Sequence, residues 1–360
     1  AGNASDADTC FNIALGCRAA QALNAGDDNI VLGRSSALSL TTGNYNLYFG
    51  LAAGCNSATQ SNNMGIGKYT GVNYCTSAQC NISIGVYAAK NRASGCHNIA
   101  LGASALCGAE GQITSNTGKE NIAIGYNAAF CMRSGGCNTF LGESGKYVTT
   151  GSHNIGMGNL AGGSVVESSG SYNISFGAFA GQCATSGSKN IAIGNAAMST
   201  GTITGTKNIT IGEAAGKTLS SGYQNVILGD CAGQCAGPYS NNVIIGSRAG
   251  CKICGASNFF GGYSAGRNAT TANSNVFIGV HAGKCNTTGD KNIFIGGYSG
   301  GETGSITGAC NIAIGRLTSL PDPTGSNQLV IGDGTNRWIA GDSSYNVTLA
   351  GIATAYAATG

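Results

Sequence analysis

The sequence predicts an all-β protein: a β-solenoid (parallel β-helix or β-roll) of about 19 coils with a period near 17 residues, plus a C-terminal cap. Three observations carry that prediction. The motif Asn-Ile-Ala-Ile-Gly and its variants recurs along the whole chain. Glycine supplies 61 of 360 residues, against an ordinary share of roughly 7%. Charged residues make up only 9%, where about a quarter is usual.

The repeat is read from its first residue. Asn opens the motif at positions 12, 29, 46, 63, 81, 98, 121, 138, 154, 173, 190, 208, 225, 242, 258, 275, 292 and 311, and Gln328 opens a nineteenth copy. From Asn12 to Asn311 the mean interval is 17.6 residues; the longest, 23, between Asn98 and Asn121, places an extra loop at 107–120. With the Asn column numbered zero, column +4 is glycine in all nineteen copies, from Gly16 to Gly332. Columns +1 and +3 are apolar, with Thr139 and Gly261 as the exceptions. Column +7 is Ala, Ser, Thr or Gly throughout, and column −3 is Gly in fourteen copies.

Each column has a physical reading. Apolar residues at +1 and +3 have the period of a strand and lie on one of its faces. Gly at +4 permits a left-handed backbone or a close approach and ends the strand in a turn. The small residues at +7 and +8 suit a second, tightly packed segment. The Gly-, Ser-, Thr- and Asn-rich remainder returns the chain. A unit this short buries nothing alone, so units must stack, with in-register strands about 4.8 Å apart. Stacked Asn side chains can hydrogen-bond along the array and satisfy the turns, so Asn12 and Gly16, Asn121 and Gly125, Asn190 and Gly194, and Asn292 and Gly296 are structural residues.

Column +2 points away from +1 and +3, and it changes along the chain. Early copies carry Ala14, Val31, Gly65, Ser83, Ala100 and Ala123; five successive later copies carry Ile227, Ile244, Phe260, Phe277 and Phe294. Two readings of this apolar stripe stay open: packing inside one coil against the second segment, or contact with another subunit. These five residues, with the only tryptophan, Trp338, are the oligomer-interface candidates. After residue 316 the pattern breaks at Pro321 and Pro323, and strand-like pieces crowd around Gln328, Trp338 and Val347. Residues 1–319 therefore read as the repeat domain, and 320–360 as the last coil and a cap or docking segment that covers an open end.

Composition excludes several function classes. A net charge of +3 is too weak for a nucleic-acid interface. No run of 18 apolar residues suggests membrane insertion. The even count of 16 cysteines favours an oxidising compartment and structural disulfides, with links between chains also open. The pairing candidates are Cys75, Cys80, Cys131, Cys137, Cys251 and Cys254; of these Cys80, Cys131, Cys137 and Cys251 stand in columns that flank the return loop. Cys251-Lys-Ile-Cys254 lacks the second pair a zinc site needs, so no metal is expected.

Catalytic patterns are sparse. His97, His153 and His281 fall in different coils. Gly67-Lys68 is followed by Tyr69, not by the Ser or Thr of a phosphate loop. Glu213 and Asp230 share column +5 in adjacent coils, at a separation suited to a retaining glycosidase, yet no further acids accompany them. The reading is a non-enzyme without cofactors. Among the glycosylation sequons, those at Asn81, Asn173 and Asn208 lie in the Asn column and should be packed, while Asn268 and Asn286 lie in return loops and are the better acceptors.

The motif Asn-x-Ala-Ile-Gly followed by Ala or Ser is similar to the head repeats of trimeric autotransporter adhesins, which form a β-roll in a three-chain bundle. Those repeats are shorter and usually cysteine-free. The closer likeness is to tail-fibre-like repeat proteins of phages and large DNA viruses, in which GxxNIAIGxxAG repeats lead into a segment resembling Ser326 to Ile339 here. The resemblance implies an extracellular structural fibre or adhesin-like filament at a cell or virion surface. Its partner would be itself, as a trimer or a head-to-tail filament, with cell-surface glycans or a receptor as further partners. The alternative is a polysaccharide-binding or polysaccharide-cleaving solenoid of a viral tail fibre.

Overall fold

The structure is a computed structural model that describes residues 10–72, 78–91, 94–108, 117–163, 167–234 and 237–350. Two compact units divide the chain, Ala1–Lys189 and Asn190–Gly360. Each is a parallel β-solenoid with one three-residue strand per coil. The first unit contains β1 (Ile13–Leu15), β2 (Ile30–Leu32), β3 (Leu47–Phe49), β4 (Met64–Ile66), β5 (Ile82–Ile84), β6 (Ile99–Leu101), β7 (Ile122–Ile124), β8 (Thr139–Leu141), β9 (Ile155–Met157) and β10 (Ile174–Phe176). The second contains β11 (Ile191–Ile193), β12 (Ile209–Ile211), β13 (Val226–Leu228), β14 (Val243–Ile245), β15 (Phe259–Gly261), β16 (Val276–Ile278), β17 (Ile293–Ile295), β18 (Ile312–Ile314) and the longer β19 (Leu329–Asp333).

Register is strict. Column pairs with column in each ladder: Ile13 with Ile30 and Ala14 with Val31 in the first unit, Phe260 with Phe277 and Phe277 with Phe294 in the second. Gly at +4 explains why no coil slips. Its φ is left-handed, +133° at Gly85, and a Cβ there would lie 2.6 Å from the carbonyl oxygen of Gly102 in the next coil. Any side chain would push the coils apart.

The Asn column is a hydrogen-bonded ladder in both units. Asn12 Oδ1 accepts the backbone N–H of Asn29 at 2.9 Å and its Nδ2 at 3.0 Å. Asn29 Nδ2 also donates to the carbonyl of Gly43, which stands at column −3 of the next coil. Asn208, Asn225 and Asn242 repeat the pattern in the second unit. Each buried side chain thus satisfies one turn and the neighbouring strand start, which keeps polar atoms paired inside the coil.

The interior is built from columns +2, +7 and +8. The residue at +2 is buried in every strand from β2 onward, and Ala53, Ala105, Ala215 and Ala282 at +7 are fully buried. The end of the second unit changes topology. Strand β19 pairs parallel with β18 and antiparallel with β20 (Asn336–Gly341), which pairs antiparallel with β21 (Val347–Leu349). The β19–β20 hairpin turns at Gly334 and Thr335, with Gly334 left-handed at +59°.

Candidate functional site

The strand faces settle which of the open readings of column +2 holds. Ile227, Ile244, Phe260, Phe277 and Phe294 have no exposed surface. They are not an interface; they fill the coil, and the expectation of a subunit contact at these positions is corrected. Phe260, Phe277 and Phe294 stack ring on ring at 5.0 Å and 4.9 Å, close to the rise of one coil. The reason is geometric: a strand joined to a second segment by a turn must point one face at that segment, and +2 is the face that does. Trp338, on β20, is 60% exposed and remains a surface residue.

It follows that columns +1 and +3 face outward. In the first unit Ile13, Leu15, Ile30, Ile82, Ile84, Ile124, Ile155 and Met157 are exposed, and Leu47, Ile66, Ile99 and Leu101 are half-buried. In the second unit Ile211, Ile245, Phe259, Ile278 and Ile293 are exposed. Nine coil spacings of about 4.8 Å, two columns wide, give the first unit an outward apolar band on the order of 400 Å². Single exposed apolar residues are ordinary, but an apolar band of this size is often functional.

Among the described residues no cysteine is in a disulfide. The fourteen described cysteines form no disulfide, Cys80, Cys131, Cys137, Cys251 and Cys254 included; Cys75 and Cys235 lie outside the described residues, as do residues 109–116 of the extra loop. Two cysteines in the same column of successive coils would lie within bonding range. Among the described cysteines no two stand so. Column +9 holds Cys55 beside β3, Cys107 beside β6 and Cys251 beside β14; column −1 holds Cys80 before β5, Cys137 before β8 and Cys310 before β18. Burial raises the thiol of Cys231 to about 11, helped by a contact of 3.1 Å with the Asp230 carboxylate. Cys55, Cys131, Cys183 and Cys285 are also raised, each chiefly by burial.

Of the glycosylation candidates, Asn286 is corrected. It is fully buried, its Nδ2 donates to Gly289, and its Oδ1 accepts from Asn292 Nδ2 at 3.1 Å, so it is an interior bracket for the return loop. Asn268 is half-buried. Asn81, Asn173 and Asn208 are buried in the Asn ladder. A sequon at the exposed Asn346 is the accessible one in the C-terminal ribbon.

The remaining chemistry-bearing residues stay dispersed. Glu213 and Asp230 are both exposed on column +5. His153 stacks on Tyr172, and His281 sits between Tyr263 and Tyr298, where burial lowers its pKa and Lys284 and Arg267 add to that. Among the described residues no three His, Cys, Asp or Glu side chains cluster at metal-binding distance. No described helix is long and apolar enough to cross a membrane. An interior void beside Phe140, between Ser168 and Ser175, has a volume of about 10 Å³ and is the size of one water. Sequence reasoning missed the outward direction of +1 and +3. The signal lay in column +2, whose residues vary in size as interior residues do when they must fit different neighbours. No protein-family model, no curated protein and no solved structure matches the chain.

Proposed function

We propose that the chain is a structural fibre module, adhesin-like in build, that assembles with copies of itself side by side through the outward face of its strands. One observation carries the reading: two apolar columns, +1 and +3, run along the outer face of each solenoid unit, interrupted only at Thr139 in the first and at Gly261 in the second. A second copy is the partner whose apolar columns repeat at the same spacing, so each coil of one chain meets a coil of the next. Isologous or cyclic contact of this kind closes, and it consumes the exposed band. The surface location and the tail-fibre likeness rest on the repeat motif and on the segment Ser326 to Ile339. Cohesion within each chain comes from the Asn ladder and the filled interior, and no disulfide joins described residues.

The test is a set of lysines on the outer face. Three substitutions, Ile84→Lys and Ile124→Lys in the first unit and Ile245→Lys in the second, together place charge on the band of each unit while leaving the interior intact. Sedimentation should show the assembly reduced to a single chain with the same circular dichroism. An assembly that survives all three substitutions would place the contact elsewhere.

A further inference from the structure

Column +6 of the first unit carries a second surface feature. In the coils of β1 to β6 every residue there has a left-handed backbone, from Arg18 at φ 60° through Ser35, Ala52, Tyr69, Tyr87 and Ser104. The side chains therefore leave the coils from the same backbone geometry, and their lengths set the relief. Arg18 and Tyr69 are long; Ser35 and Ala52 between them are short. The result is an open slot of about 520 Å³ with Arg34 and Leu51 along one side. It spans three coil spacings, about 14 Å. Beyond Tyr69 the ring of Tyr87 stacks parallel at 5.7 Å, and on its far side a second slot of about 300 Å³ opens over Ser104, flanked by Lys90 and Phe130.

The charge of this strip is one-signed. Arg18, Arg34 and Lys68 are exposed; the Lys68 ammonium lies 5.4 Å from the Tyr69 ring, and that of Lys90 lies 4.9 Å from Tyr87. Columns +5 to +10 of the coils of β1 to β7 contain no Asp or Glu. Neither Arg18 nor Arg34 forms an ion pair among the described residues.

We propose that the two slots and the tyrosine wall between them bind a segment of an acidic polysaccharide. The guanidinium forks of Arg18 and Arg34 pair with its carboxylate or sulfate groups, a match of planar donors to paired oxygens. The outer ring faces of Tyr69 and Tyr87 pack against the apolar C–H faces of sugar rings in the two slots. The spacing favours a sugar acid over a duplex nucleic acid. Each strand of a B-form duplex presents a charge about every 3.4 Å along its axis. Here the cations come at most one per coil of about 4.8 Å, with none in the coil of β3, which suits charges separated by sugar rings. This inference stands apart from the self-association proposed above, since it uses different columns.

The experiment titrates the full chain with a heparin hexasaccharide and a galacturonate hexamer, with neutral cellohexaose and a uridylate decamer as comparators. At least one acidic oligosaccharide should bind about tenfold more tightly than cellohexaose. Arg18→Ala with Arg34→Ala should weaken it about tenfold, and Ser35→Tyr about fivefold. Ser35→Tyr fills the slot without changing charge, and the coils of β4 and β5 already carry Tyr in this column, so the fold accommodates it. Unchanged melting of each variant separates lost binding from lost structure. The proposal is overturned by no binding of either acidic probe, by equal binding of cellohexaose, by indifference to both variants, or by decamer binding that is as tight and falls with the same variants.

Discussion

The coils of β15 to β17 and those of β6 and β7 solve the same packing problem in opposite ways. In the first set the strand contributes Phe260, Phe277 and Phe294, and the second segment contributes Gly266, Gly283 and Gly300 at column +8. A Cβ at Gly266 would stand 2.7 Å from the Phe260 ring. In the second set the strand contributes Ala100 and Ala123, and column +8 contributes Leu106 and Ala129, with Met132 beside them. Tyr48 with Gly54 follows the first pattern, and Ala192 with Met198 the second. What is conserved along the interior is not a residue but a volume, shared between strand and second segment, as close packing demands.

The comparison can be broken by substitution. The largest effect should come from Phe277→Ala, which empties a fully buried stack and should cost about 3–5 kcal/mol in chemical denaturation. The matching Ala100→Gly should cost only about 1 kcal/mol, since it removes one methyl group and adds chain entropy. Comparable losses at the two sites would show that the aromatic stack adds nothing to its coils.

Next is Gly266→Ala, expected to lose about 2–4 kcal/mol because it adds a Cβ to a left-handed backbone at +58° and presses it on Phe260. Combined with Phe260→Leu, the loss should be smaller than the sum by about 1 kcal/mol or more. Strict additivity would refute the shared volume.

Asn225→Ala should follow, at about 1–3 kcal/mol, because it strips a partner from the Asn242 backbone N–H and from the Tyr239 carbonyl. The smallest effect belongs to the outer face. Ile278→Ser should change the stability of the single chain by less than about 1 kcal/mol, since Ile278 is 40% exposed. A loss equal to that of Phe277→Ala would mean that the outer face is covered within one chain.

Much of this architecture is legible in the residues. The invariant Gly at +4 marks the strand end, the Asn column marks a ladder, and the period marks the coil. Which face turns inward is harder to read, for a physical reason. Alternation along three residues distinguishes two faces but says nothing of where the chain returns. The most regular apolar columns, +1 and +3, look like a core, yet they are regular because they face outward toward one uniform environment. Column +2 looks irregular because each residue there answers a different partner: Tyr48 answers Gly54, and Ala100 answers Leu106. Cysteine pairing was illegible in a similar way, since nearness in sequence, as in Cys131 and Cys137, places two residues in adjacent coils but in different columns. Asn286 read as a loop residue, and its burial depends on a contact with Asn292 that composition does not reveal.

The most direct test is the mass of the native chain in solution under reducing conditions, by mass photometry or sedimentation. Self-association through the outward strand face predicts a discrete multiple of 35.7 kDa that persists with reductant. A stable 35.7 kDa single chain at all accessible concentrations would contradict it.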